Sequence, residues 1–170
     1  MIDAVEAVLG QGLKLLDSLD QETYTRALPV ANRATIGGHY RHALEHFRQL
    51  QSGLETGSVD YDARNRDILL ETDHNEAIRA TRELAASLKS LTSHGSEDPL
   101  EVRCGITYGE KDAGAASSTL GRELMFCISH AIHHYAIIAL ILRSEDQTVP
   151  EGFGVAPSTV RHRLQLAGTR

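Results

Sequence analysis

At 170 residues the chain is long enough to bury a sizeable core, and residues 1–170 read as a single domain. Its 23 acidic residues outnumber 17 basic ones, which argues against nucleic acid or an anionic membrane surface as the main partner. Tryptophan is absent and the two cysteines, Cys104 and Cys127, have no metal-finger spacing, so a helical protein of a reducing compartment is expected, without a disulfide framework.

The N-terminal Met1-Ile-Asp-Ala-Val-Glu6 carries an acid where an export signal needs a base, and a cytoplasmic location is expected. Asp3 and Glu6 resemble a capping box, and Val5, Val8, Leu9, Leu13, Leu16 and Leu19 give a first helix its apolar face, ending near residues 18–21. Thr35 is the expected N-cap of a second helix. Along it Ile36, Tyr40, Ala43, Phe47, Leu50 and Leu54 recur at steps of four and three, the stripe of a helix packed in a bundle. Gly37 and Gly38 lie in its first turn, where they allow a neighbour to approach closely, and Gly53 and Gly57 end it.

Residues 55–72 are polar and charged without a period, and read as a long solvated crossover loop. Asp73 and Glu76 form a second capping-box signature, with Ile78, Thr81, Leu84, Ala85, Leu88 and Leu91 on the apolar face of a third helix. Ser93 to Gly95 stop it. Residues 100–108 alternate in part and predict a short extended segment, and the Gly/Ala/Ser-rich stretch 109–118 reads as a loop.

Ser118 or Thr119 caps the fourth helix, Glu123 to Leu142, an apolar run interrupted by His130, His133 and His134. Apolar residues occupy every side of the wheel, which predicts burial all round. The run is nearly long enough to span a bilayer, but three mid-run histidines and the charged residues at its ends favour a core helix. The tail 158–166 predicts a short docked helix.

Six of the nine histidines sit on the second and fourth helices. His130 and His134, at i and i+4, share one helical face and can reach one ion. A third donor is available from His39, His42 or His46. The helical wheel places His39 and His46 nearer the centre of the apolar stripe than His42, and does not settle the choice. A three-imidazole set suits zinc, nickel, copper or ferrous iron. Two carboxylates are candidate catalytic groups. Glu123 lies seven residues before His130, about 10 Å along the axis at about 1.5 Å per residue, the reach of a pocket carboxylate rather than a ligand. Glu45 can orient an imidazole through its free N–H. Tyr40, Tyr135 and Cys127 read as core residues.

Ile36-Gly-Gly-His-Tyr-Arg-His-Ala-Leu-Glu45 and His130-Ala-Ile-His-His134, with the helix order and the long crossover, resemble the DinB/YfiT-like superfamily. The resemblance implies an all-α, up-down-down-up four-helix bundle, often a homodimer, binding nickel or zinc. It implies His42, His130 and His134 as the ligands, with Glu45 as the acid of the upstream motif, and so selects His42 among the helix-2 histidines. It includes thiol-dependent S-transferases and isomerases, and proposed hydrolases, so an unidentified small-molecule substrate such as a thiol conjugate is expected. A non-catalytic metal-binding bundle with a stress-related or interaction role is the alternative. A plain helical dimer without metal would make both histidine clusters accidents.

Overall fold

The structure is a computed structural model, and it describes residues 1–29, 33–89, 94–105, 108 and 113–168. In chain order the elements are α1 (Ile2–Leu16), α2 (Gln21–Thr25), α3 (Ile36–Gly53), β1 (Ser58–Asp60), α4 (Ile68–Thr72), α5 (His74–Lys89), β2 (Pro99–Gly105), β3 (Ala113–Thr119), α6 (Leu120–Ser144) and α7 (Pro157–Gly168). The protein is mostly helical. The four long helices α1, α3, α5 and α6 pack on one another: α3 lies against α6 and α5, and α1 against α5 and α6.

The side-chain pattern explains these contacts. On α3 the residues Ile36, Tyr40, Ala43, Phe47 and Leu50 are all buried, as their spacing predicts. Thr35 caps the helix, its Oγ1 accepting from the Gly38 amide at 2.8 Å. A Cβ at Gly37 would run into the carbonyl oxygen of Glu71, so the glycine lets α4 lie directly on the first turn of α3. Asp73 caps α5 by accepting from the amides of Asn75 and Glu76, and Thr119 caps α6 by accepting from Arg122.

Several expectations are corrected. The helix α1 starts at Ile2 with Met1 as N-cap and no side-chain cap, so Asp3 lies inside its first turn, where it complements the positive end of the helix dipole. The chain is not purely helical. Residues 55–72 contain β1 and α4, and part of the Gly/Ala/Ser-rich stretch forms β3. The sheet order is β1-β2-β3, with β1 parallel to β2 and β2 antiparallel to β3. Val59 pairs with Val102, which pairs in turn with Ala116. Small side chains suit β3 because it crosses the rim of a cavity. These strands pair over long sequence distances, which no local period announces.

α6 is not buried all round. Its inward face is buried, while Met125 is 62% and Leu140 65% exposed. It is also the element, among the described residues, with the length and apolarity of a membrane span. The C-terminal helix α7 forms but buries none of its residues. Leu91 and Ser93, and residues 109–112 of the loop expected at 109–118, fall outside the described residues.

Candidate metal centre

α3 and α6 bring four histidines together. Ring centroids of His42 lie 4.7 Å from His46, 4.9 Å from His130 and 4.5 Å from His134. His130 lies 4.0 Å from His46 and 4.6 Å from His134. Periodicity accounts for the meeting. His42 and His46 are one turn apart on α3, His130 and His134 one turn apart on α6, and the two helices pack face to face.

The hydrogen bonds fix what these rings offer. His46 Nδ1 lies 2.8 Å from the carbonyl oxygen of His42, which only accepts, so Nδ1 carries the hydrogen and Nε2 keeps its lone pair. Among the described residues, His130 Nε2 is buried with no hydrogen-bond partner. His39 and His134 meet Nδ1 to Nδ1 at 3.2 Å, so one donates to the other, and His39 orients His134 from behind. One ring nitrogen from each of His42, His46 and His130 lies within 4.8 Å of the other two. His133 is exposed.

Burial holds the rings neutral. Desolvation, then the neighbouring His46, pulls His42 down to about 3. Desolvation and His46 likewise take His130 down to about 4, and desolvation with His42 and His130 takes His134 to about 3. His39 and His46 are lowered as well, chiefly by burial. Near neutral pH the cluster is therefore a set of uncharged nitrogen donors. A buried ring nitrogen without a partner costs stability unless something satisfies it. Convergent neutral imidazoles, one with an orphaned nitrogen, fit a divalent transition metal.

A cavity of about 510 Å³ opens beside three of these rings, His42, His46 and His130. Its wall includes Glu123, the expected pocket carboxylate. Glu123 is buried, with Oε2 accepting from the Tyr61 hydroxyl at 2.8 Å and Oε1 from Ser118 Oγ at 2.6 Å. Burial, together with Cys127 and Glu123, raises the Tyr61 phenol, so it stays a donor. Tyr61 also stacks on His46 at 5.4 Å and packs on Phe126.

Glu45 is turned elsewhere. It is buried, its Oε1 accepts from the Asp67 amide at 2.7 Å, and its Oε2 lies 3.9 Å from Arg41 and 4.0 Å from Arg64. It anchors the 61–67 segment to α3. No hydrogen bond joins it to a histidine among the described residues. Tyr40 and Tyr135 are core residues, and Tyr40 bonds Thr81 at 2.9 Å. Cys127 is buried, and burial lifts its thiol to about 12.

Tyr61 and Arg64 were missed because they lie in the stretch read as a solvated loop. A signal was present: in Ser58-Val-Asp-Tyr-Asp62 the apolar residues alternate with polar ones, and Val59 and Tyr61 are the buried pair.

The family model of the DinB superfamily matches residues 4–138. The chain belongs to the DinB superfamily. It is 34% identical over 104 residues to FK506-binding protein 5 of Rhizopus delemar, a match that covers 61% of this chain and 27% of that protein. The chain thus spans about a quarter of the length of that curated relative. No solved structure matches. The DinB match includes every histidine of the cluster and both carboxylates, Glu45 and Glu123.

Proposed function

We propose that this DinB superfamily protein binds a divalent transition metal, nickel or zinc foremost, between α3 and α6, and uses it on a small molecule as a transferase or hydrolase. The observation that carries this reading is the convergence of neutral imidazoles around the orphaned Nε2 of His130. His42 and His130 would be ligands in either of two sets. The family pattern adds His134, which His39 orients from behind. Proximity of ring nitrogens adds His46, whose Nε2 is left an acceptor by the Nδ1 bond to the His42 carbonyl and takes a 3.4 Å hydrogen bond from Arg64 that an ion would displace. An ion with an open position supplies a Lewis acid and a bound water or thiolate of lowered pKa.

The chain's own residues do the rest. Glu123, held by two hydroxyls on the cavity wall, is placed to take or return a proton on a molecule lying against His130 and Phe126. Phe126, Val102 and Ala116 present apolar surface to the body of that molecule and exclude water. A thiol conjugate fits such a space. The reading extends to an up-down-down-up four-helix bundle, a homodimer and a cytoplasmic location.

One observation favours the alternative of a metal-binding protein without turnover, with a stress-related or interaction role. Four imidazole rings crowd together, each ring centroid within 4.9 Å of at least two others, so that a fourth donor stands beside the three whose nitrogens converge. Metal analysis of the purified protein beside His42→Ala, His46→Ala, His130→Ala and His134→Ala decides between these sets. Loss in three variants identifies the trio, and an open position. Loss in all four identifies a closed shell. Stoichiometric metal retained in every variant refutes the site.

A further inference from the structure

The charges around the cavity do not balance once an ion is held there, and the imbalance points to a class of substrate. Arg64 stands beside the imidazoles. Its Nη1 donates to the Tyr61 carbonyl at 2.5 Å and, at 3.4 Å, to the Nε2 lone pair of His46. Its side chain is 16% exposed, and among the described residues its Nε is buried without a hydrogen-bond partner. Among the described residues its one ion pair is the 4.0 Å contact with Glu45 Oε2, and Arg41 shares that oxygen at 3.9 Å.

The cavity wall carries one more arginine, Arg122, and two carboxylates, Asp62 and Glu123. Both acids are already engaged: Glu123 by the hydroxyls of Tyr61 and Ser118 and by Arg122 at 3.9 Å, Asp62 by the amide of Gly105. Two arginines against two carboxylates leave the wall neutral, and neutral imidazoles add nothing. The charge of a divalent ion held by these rings would then be uncompensated, and it would stand beside a guanidinium that is hydrogen-bonded to one ring of the cluster at 3.4 Å. Like charges in a half-enclosed site repel strongly. An anion between them turns that repulsion into two attractions, and guanidinium offers a planar fork matched to a carboxylate.

We propose that the cavity takes a small molecule with a carboxylate on an apolar body. The carboxylate lies between the imidazole-held ion and Arg64, Arg122 stands at the rim, and the apolar body rests on Phe126 and Val102. Arg64 is then the residue that sets specificity. The inference rests on the metal reading above.

The test uses the cobalt(II)-loaded full chain, its visible absorption bands followed during titration with benzoate and, separately, with benzamide. Wild type binds benzoate in preference to benzamide. In Arg64→Gln benzoate binds about tenfold more weakly, the worth of one charge-assisted hydrogen bond, while benzamide is unchanged. Arg64→Lys recovers part of the loss. Arg122→Ala, an exposed position that leaves the fold intact, weakens benzoate about threefold, as a screened rim charge does. Equal benzoate affinity in wild type and Arg64→Gln overturns the inference. So does equal affinity in wild type and Arg122→Ala should Arg64→Gln fail to fold, and so does benzamide binding wild type as tightly as benzoate. Absence of cobalt uptake, or uptake that His130→Ala leaves untouched, refutes the metal reading and the inference with it. Normal uptake without a charge preference refutes the inference alone.

Discussion

The same two helices carry two opposite solutions to a buried polar group. Tyr40 of α3 and Tyr135 of α6 stack at 6.1 Å, both fully buried, and the Tyr40 hydroxyl is bonded to Thr81. Beside them in sequence, His42, His46, His130 and His134 crowd together half-open to a cavity, and one ring nitrogen has no partner. The tyrosine cluster is closed on itself, fills its space and stabilises the fold. The imidazole cluster is incomplete within the chain. A satisfied polar core specifies structure, and an unsatisfied one beside a cavity calls for a ligand.

The largest expected effect tests the closed half. Tyr135→Ala removes a ring stacked on Tyr40 and on Phe153 at 4.7 Å and should cost about 3–5 kcal/mol, read by urea denaturation. His130→Ala should do the reverse. Metal affinity falls by roughly 100-fold or more, since even the outer partners of ligands are worth 10–100-fold. The stability of the metal-free protein changes by less than about 1 kcal/mol, the scale of a lost hydrogen bond that here was never made. Were His130→Ala to destabilise the metal-free protein as much as Tyr135→Ala, the two clusters would not differ in kind.

Acid sharpens the same contrast. The histidines are held below their unfolded value of about 6.5, at about 3 for His42 and His134 and about 4 for His130. Between these limits the unfolded chain binds more protons than the folded one. Their neutral burial is therefore compatible with full stability above about pH 6.5, and stability falls as pH drops toward 4. Thermal melts of the metal-free protein should shift downward from pH 7 to pH 4, and the shift should shrink when His42 and His134 are replaced by Gln. Retained shift in that double variant would assign acid sensitivity to other groups. The smallest effect concerns the element that places the donors. Thr35→Ala removes the cap of α3 and should cost about 1 kcal/mol, with metal stoichiometry unchanged.

Local physics made much of this readable from the sequence. The caps Thr35 and Thr119, the stripe from Ile36 to Leu50 and the shared face of His130 and His134 follow from local spacing, which one short stretch displays, whereas the wheel favours His39 and His46 and only the family resemblance points to His42. What was hidden depends on distant partners. Three residues of β1 carry too little pattern to predict a strand until β2 is beside them, and Ala113–Thr119 becomes a strand through pairing with Pro99–Gly105. Glu45 could have steadied an imidazole or lain in solvent, but the Asp67 amide and Arg64 from the crossover, with Arg41 of its own helix, claim it instead. The apolar circumference of α6 predicted complete enclosure, yet among the described residues nothing covers Met125 and Leu140.

The cavity is assembled from two sources: its floor from side chains on α3 and α6, and much of its opposite wall from β2, β3 and the turn after β1. Val102, Ala116 and Ser117 can therefore be exchanged without altering a helix that presents an imidazole. A randomised library at those three positions would retune what is admitted while leaving the nitrogen donors in place, which makes this small sheet the natural starting point for re-engineering selectivity.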